Sequence, residues 1–376
     1  MTAHRVRKPY RLAVAIAATM LLIAACGSDD VPETDIPAPP PETESPAEEA
    51  AAPATTTEPS IEGTTVTLIT HDSFNLSDGT LEEFTAQTGV TVELLEVGDA
   101  GTLVAEAILT KGAPLGDVLF GIDNTFLQRG LDAGIFERYE SPALAGVPED
   151  LQIDSRHRVT PVDYGDVCVN YWKDAVPWEP VTLDELTFPE FADQLVVQHP
   201  ETSSPGLAFL LATIAAFGDG WELYWEDLRA NGVTVTAGWE DAYYGEFISG
   251  GGERSMVVSY ASSPPAEVIY ADPPIDTAPT GVITESCYRQ IEFAGILTGT
   301  DNEAGARALI DFMLSETWQN DVPLNMFVYP VIESATLPPE FVEHTAVPPH
   351  PLMLDPAEIE ANRDTWTERW VEIVLR

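Results

Sequence analysis

The stretch TTVTLITHDSFNLSDGTLEEFTAQTGVTVELLEV, residues 64–97, holds two strand-like runs around one helix-like run. Thr64 to Thr70 mixes β-branched and apolar residues, which predicts a strand. Thr80-Leu81-Glu82-Glu83 reads as a capping box opening a helix, and Gly89 supplies its stop signal. Val90 to Val97 returns as a second strand. Outward from there the alternation continues, with a helix from Leu103 to Lys111 closed by Gly112 and a third strand from Asp117 to Ile122. Strands alternating with helices bury a mainly parallel sheet between helical layers. The expectation is an α/β fold whose ligand crevice lies at the carboxyl ends of its strands.

The pattern then repeats with new elements. Strands are predicted at Val159 to Val162, Asp166 to Tyr171, Leu195 to Gln198, Val233 to Thr236 and Ser255 to Tyr260, and another around Arg289 to Ala294. Helices are predicted at Leu207 to Phe217, Gly220 to Asn231 and Asn302 to Leu314, with a terminal one from Pro356 to Val374. No fixed-period repeat argues for a solenoid or propeller.

Length and charge narrow the function. At ~150 residues per domain, 376 residues predict two domains. Four of the 17 basic residues lie before Leu12, so the remainder carries 13 positives against 62 acids. Such a surface repels phosphate backbones and anionic bilayers, which excludes nucleic acids and polyanions as main partners. Arg5 to Arg11 followed by the apolar run Leu12 to Ala25 has the form of a signal peptide, residues 1–25, too short to span a bilayer. It ends in Ile23-Ala24-Ala25-Cys26-Gly27, which resembles a bacterial lipobox and predicts acylation of Cys26. Residues 26–61 read as the lipidated cysteine and a disordered acidic, Pro-rich tether. The folded part is therefore expected outside the cytoplasmic membrane, held to its outer face as a lipoprotein by the lipid on Cys26 alone. The other two cysteines, Cys168 and Cys287, lie in strand-like runs. An even pair in an oxidising compartment favours a disulfide over two separately buried thiols.

The chain holds no Gly-x-Ser-x-Gly, phosphate-loop, dinucleotide-loop or His-Glu-x-x-His motif, so an enzyme is the weaker hypothesis. Loops after strands stand out instead. Pro200-Glu201-Thr202-Ser203-Ser204-Pro205-Gly206 leads into an apolar helix, with Ser204 placed as N-cap and Pro205 at the first helical position. Its backbone N–H groups are candidates for a polar or anionic ligand group, an ester phosphate included. Ser259-Tyr260-Ala261-Ser262-Ser263-Pro264-Pro265 repeats the device. Trp239 follows a strand and precedes a short helix carrying Tyr243 and Tyr244; it fits either a core or a ligand platform.

Together with His71-Asp72-Ser73-Phe74, Gly121-Ile122-Asp123-Asn124, Asp163-Tyr164-Gly165 and Tyr329-Pro330-Val331, these runs occur in the order and spacing of the thiamine-binding receptors of bacterial ABC importers. Residues 64–376 resemble that family. The resemblance implies a type II periplasmic-binding-protein fold, two α/β lobes joined by crossing hinge strands. Crossings fall near Asp163-Tyr164-Gly165, Arg289 to Phe293 and Tyr329, giving lobe one 62–163 plus 286–327 and lobe two 164–285 plus 328–376. The family's thiamine site falls on Ala100 and Gly101, on Ser203 and Ser204, on Trp239, on Tyr260, Ala261, Ser262 and Ser263, and on Phe327. His71 stands where the family usually has Tyr, Ala100 replaces an acidic residue, and Ala266 falls where another aromatic is common. Asp72 or Asp123 is expected to neutralise the thiazolium, or else to cap a turn, and a cation over Trp239 or Tyr260 gains roughly 0.5 to 2 kcal/mol.

The expected protein is thus a monomeric receptor that closes over thiamine or its phosphate esters and delivers them to an ABC permease, using no cofactor and no resident metal. Ferric ion is the rival within the fold, because His71, Tyr243 and Tyr244 supply ligand types used by related iron receptors. An extracytoplasmic enzyme or adhesion module is the rival outside it.

Overall fold

The computed structural model describes residues 60–376. The expected leader, Cys26 and most of the tether lie outside the described residues. The opening alternation forms β1 (Thr65–Thr70), α1 (Thr80–Thr88), β2 (Thr91–Glu96), α2 (Ala100–Leu109) and β3 (Val118–Asp123), with β1 parallel to both β2 and β3. Inward residues alternate as the pleat requires. Val66, Leu68, Val118 and Phe120 face one buried cluster with Phe84 and Trp318, while Ile69, Leu119 and Ile122 face another with Leu103, Val104 and α3 (Leu127–Ala133).

Further along the chain, β5 (Leu195–Gln198) runs parallel to β6 (Thr234–Thr236) and to β7 (Met256–Tyr260). Helices α4 (Ser204–Phe217) and α5 (Trp221–Ala230) cover one face of this trio. A π-helical turn, Asp241–Glu246, packs Tyr243 and Phe247 on the other. Helix α4 is buried on every side from Ser204 to Ile214, as its apolar composition demands.

Two long strands join the parallel groups, β4 (Thr160–Trp172) and β8 (Thr280–Ile296). The sheet order is β2-β1-β3-β8-β4-β7-β5-β6, and β9 (Tyr329–Pro330) pairs with β4 at Asp163 and Tyr164. Near its C-terminal end β8 pairs with β3, whereas its first half lies along the part of β4 that also pairs with β7. The sequence predicts a break between Val162 and Asp166, and the structure has none. A register shift between Pro161 and Asp163 absorbs the proline within one continuous strand, and Gly165 keeps its place in the ladder opposite Gln290.

β8 is also longer than the predicted Arg289 to Ala294. Val167 pairs with Tyr288 while Val169 pairs with Ile283, so four residues loop out of β8 opposite Cys168. The Ser286 hydroxyl fills the gap, accepting from Val169 N–H at 2.8 Å and donating to Ile283 O at 2.7 Å. A disulfide joins Cys168 to Cys287 across this bulge, Cα atoms 4.2 Å apart.

Other local expectations change in physical detail. Gly79, not Thr80, is the N-cap of α1; the Thr80 hydroxyl donates to Asp321 at 3.0 Å instead. Ser203, not Ser204, caps α4, with Pro205 in its first turn. Helix α2 begins three residues earlier than predicted because Asp99 caps it. After the short α6 (Pro264–Ile269) and α7 (Glu303–Met313), helix α8 (Glu316–Asn325) escapes prediction because Pro323 lies inside it. Beyond the short α9 (Pro339–His344), the terminal α10 (Pro356–Val374) follows its predicted span and sets Trp370 against Trp225, ring centroids 5.4 Å apart.

Candidate functional site

A cavity of about 390 Å³ opens at the carboxyl ends of the parallel strands. One wall comes from the residues after β1, His71 to Asn75, and from the start of α2. The facing wall comes from the start of α4, the turn after β6 and the turn after β7, and Glu292 of β8 lies between the two walls. Of the residues expected here, His71, Asp72, Ala100, Ser204, Trp239, Tyr260, Ser263 and Phe327 border the cavity.

The remaining expected residues stand behind that surface. Gly101 donates its N–H to Thr202 O at 3.0 Å, and a Cβ there would lie 2.4 Å from Glu201 O, so its smallness lets α2 dock on the α4 loop. The Asp123 carboxylate accepts from Thr125 N–H and Oγ1 at 3.0 and 2.7 Å and from Phe126 N–H at 3.2 Å, the turn-capping role weighed against charge neutralisation. Ser203 spends its hydroxyl on Gly206 N–H. Ala261 and Ser262 form the buried turn after β7, where Ser262 Oγ donates to Phe327 O.

Asp99, unanticipated from the sequence, holds the walls together. It accepts from Ala100 N–H at 2.6 Å and Ser204 N–H at 3.3 Å through one oxygen, and from Trp239 N–H at 3.1 Å through the other. Burial pushes its pKa up to about 6 against the lowering effect of those donors. The acidic residue that looked lost at position 100 therefore exists one position earlier. Its signal was an Asp directly before an apolar helical run, an N-cap signature. At the α4 start the N–H groups meant for a phosphate are already spoken for: Ser204 donates to Asp99, Gly206 to Ser203 Oγ, Leu207 to Ser203 O, and Pro205 has none.

Trp239 is fixed at both ends. Its indole N–H donates to Ser259 Oγ at 2.9 Å, which in turn lies 2.8 Å from Ser263 Oγ. Its ring stacks on Tyr243 at 4.9 Å, and Tyr244 meets it edge-on at 5.4 Å. Phe327 holds a φ of 54°, a strained value for a non-glycine residue, and Tyr270 packs edge-on against it at 5.9 Å. Tyr244 and Tyr270, 57% and 68% exposed, stand at the mouth. The Tyr243 hydroxyl is committed to Glu267 at 2.6 Å, so the two tyrosines of the iron hypothesis point to different tasks. Among the described residues no three His, Cys, Asp or Glu side chains are grouped to hold a metal ion.

The electrostatics are one-sided. Asp72, Asp99, Glu240 and Glu292 border the cavity and no Lys or Arg does. Burial holds the His71 imidazole down to about 4, leaving it neutral at pH 7, although Nε2 lies 3.8 Å from Glu292. Burial, and then the neighbouring Asp163, raises Glu292 well above the usual carboxylate range. A flat, positively charged ring suits such an aromatic and acidic cleft.

Residues 113–350 match the family described as bacterial extracellular solute-binding protein. The chain is 30% identical over 316 residues to the thiamine-binding periplasmic protein of Escherichia coli K12, covering 83% of this chain and 94% of that protein. A solved periplasmic thiamin-binding protein superposes with a TM-score of 0.74 at 28% identity, over 83% of this chain and 96% of that one. A ferric ion-binding protein of Pasteurella haemolytica superposes with a TM-score of 0.66 at 18% identity, over 82% and 97% of the two chains, a likeness of fold alone.

Proposed function

Because the chain belongs to the bacterial extracellular solute-binding proteins, with their type II fold, and is not an enzyme, we propose that it captures free thiamine outside the cytoplasm for an ABC importer. The observation that carries this reading is the cavity bordered by Trp239, Tyr260 and Phe327 together with four carboxyl groups and no Lys or Arg. The thiazolium finds aromatic faces and negative charge there. Phosphate esters find neither a Lys nor an Arg in the lining, where His71 is neutral, and no free N–H in the first turn of α4. Free thiamine is accordingly the favoured form over thiamine monophosphate. Calorimetric titration of ligand-free protein with thiamine, thiamine monophosphate and ferric citrate tests this. Tighter binding of the phosphate ester would reverse the order proposed, and an iron complex that excludes thiamine would replace the reading with the ferric one.

The lobes follow 62–163 plus 286–327 and 164–285 plus 328–376, with passage along β8 drawn more closely between Tyr288 and Glu292, where β8, still paired with β4, gains β3 on its other edge. They close on the ligand by flexing β4 and β8. The protein acts as a monomer tethered through the lipid on Cys26, and a Cys26→Ala chain recovered in the medium instead of the membrane fraction is the expected sign of that anchor.

A further inference from the structure

A row of three carboxyl groups runs beneath the cavity, and Glu292 alone of the three borders it. Asp123 on β3, Glu292 on β8 and Asp163 on β4 are directly opposed in the two antiparallel ladders. Opposed residues share a face, so the three side chains lie together. Asp123 and Asp163 are fully buried; Glu292 is 6% exposed and borders the cavity. Asp123 accepts from the donors of its own turn through Oδ1, and its Oδ2 has no partner among the described residues. Neither oxygen of Asp163 has a hydrogen-bond partner among the described residues, and the carboxyl group opposed to it in the ladder is that of Glu292.

The other titratable groups facing Glu292 are His71 after β1, Asp99 at the start of α2 and Tyr260 at the end of β7, and none of them supplies a positive charge. Two adjacent carboxyl groups without a counter-ion cannot both ionise cheaply, which favours one proton shared between Asp163 and Glu292.

We propose that Glu292 is the residue by which the site selects a permanently cationic ring over a neutral one, and that binding the cation drives the shared proton off the Asp163–Glu292 pair. This rests on the thiamine reading above. Before binding, the pair carries one proton and one negative charge. Afterwards it carries two negative charges facing the ligand's single positive charge, and the proton has passed to the buffer; only the O–H bond is broken. A neutral ring offers no compensation and leaves the proton in place. Since a proton is lost on binding, affinity rises with pH until the free pair is itself ionised, by up to about tenfold per pH unit. Asp99 titrates near pH 6, so its contribution is spent above pH 7.

The test is calorimetry of ligand-free protein at pH 7.5 in phosphate and in Tris, whose ionisation enthalpies differ. The ligands are thiamine and its neutral isostere with carbon in place of the thiazolium nitrogen. Thiamine is expected to release roughly half to one proton and to bind at least about tenfold tighter than the isostere, which releases none. Glu292→Gln should abolish the release and bring the two ligands within about threefold of each other. Asp163→Asn, a milder second variant, should abolish the release while keeping the preference, because Glu292 then ionises alone. Thiamine binding with the same enthalpy in both buffers, or equal affinity for the isostere, overturns this proposal alone. Wild-type protein that binds neither ring overturns the thiamine reading and this proposal with it.

Discussion

Asp99 touches the start of α2, the start of α4 and the turn carrying Trp239, the last two lying 105 and 140 residues along the chain from it. Its folded pKa of about 6 lies above the ordinary 3.8, so between those values the folded state holds more protons than the unfolded one. Stability from this group is therefore present at low pH and is lost as pH rises from about 4 to 6. Asp99→Asn should flatten that part of the melting-temperature profile. It should also weaken the protein by about 1–3 kcal/mol, because an amide nitrogen cannot accept from Trp239 N–H. Thermal melts at several pH values from 4 to 7 check both. Trp239→Ala should cost about 2–4 kcal/mol of thiamine affinity, since the indole borders the cavity and is held rigid by Ser259 and Tyr243. Titration calorimetry beside thermal melts checks this; a collapse of melting temperature with intact affinity would make the indole core alone. The candidate residues were legible where a polar or aromatic side chain follows a strand, as at His71, Ser204, Trp239 and Tyr260. Glu292 was not, because a lone acid inside an apolar strand reads as a defect until the strands beside it are known.

At the scale of elements, β4 and β8 carry the connection between the two parallel groups, and the disulfide ties them where β8 bulges. Removing it as Cys168→Ala with Cys287→Ala should lower stability by about 2–5 kcal/mol, because the closed loop spans 119 residues. Denaturant titration of the variant, and of the wild type with and without reductant, checks the figure; identical midpoints would show the bridge to be idle. The helices with apolar periodicity, α5, α7 and α10, the last two also capped by Asn302 and Asp355, were predicted within a few residues. Those that obey long-range packing were not. Pro323 is tolerated in α8 because the buried Trp318, Gln319 and Val322 anchor that helix whatever its local propensity. Pro161 and Gly165 are tolerated in β4 because pairing on both sides, to β8 and to β9 or β7, outweighs two local penalties.

Over the whole molecule, 13 positive residues against 62 acids after the leader mean that self-repulsion opposes the compact state. Raising salt from about 0.01 to 0.5 M shortens the screening length from about 30 Å to well under 10 Å, so the melting temperature at pH 7.5 should rise by several degrees. A melting temperature that does not move across a salt series in differential scanning calorimetry would show the acids to be spaced widely enough not to matter. Alternation of strand and helix signals, glycine stops and loop chemistry after strands determined the α/β class, and their order carried the resemblance from which the binding fold and part of the cavity's border could be read. Periodicity is a local property, so it reports which face of an element is buried. It cannot report which elements share a ladder. That Asp123, Glu292 and Asp163 meet in one row, that Asp99 spans three segments, and that the α4 N–H groups are already occupied were decided by tertiary structure alone, because each depends on register between strands or loops far apart in the chain.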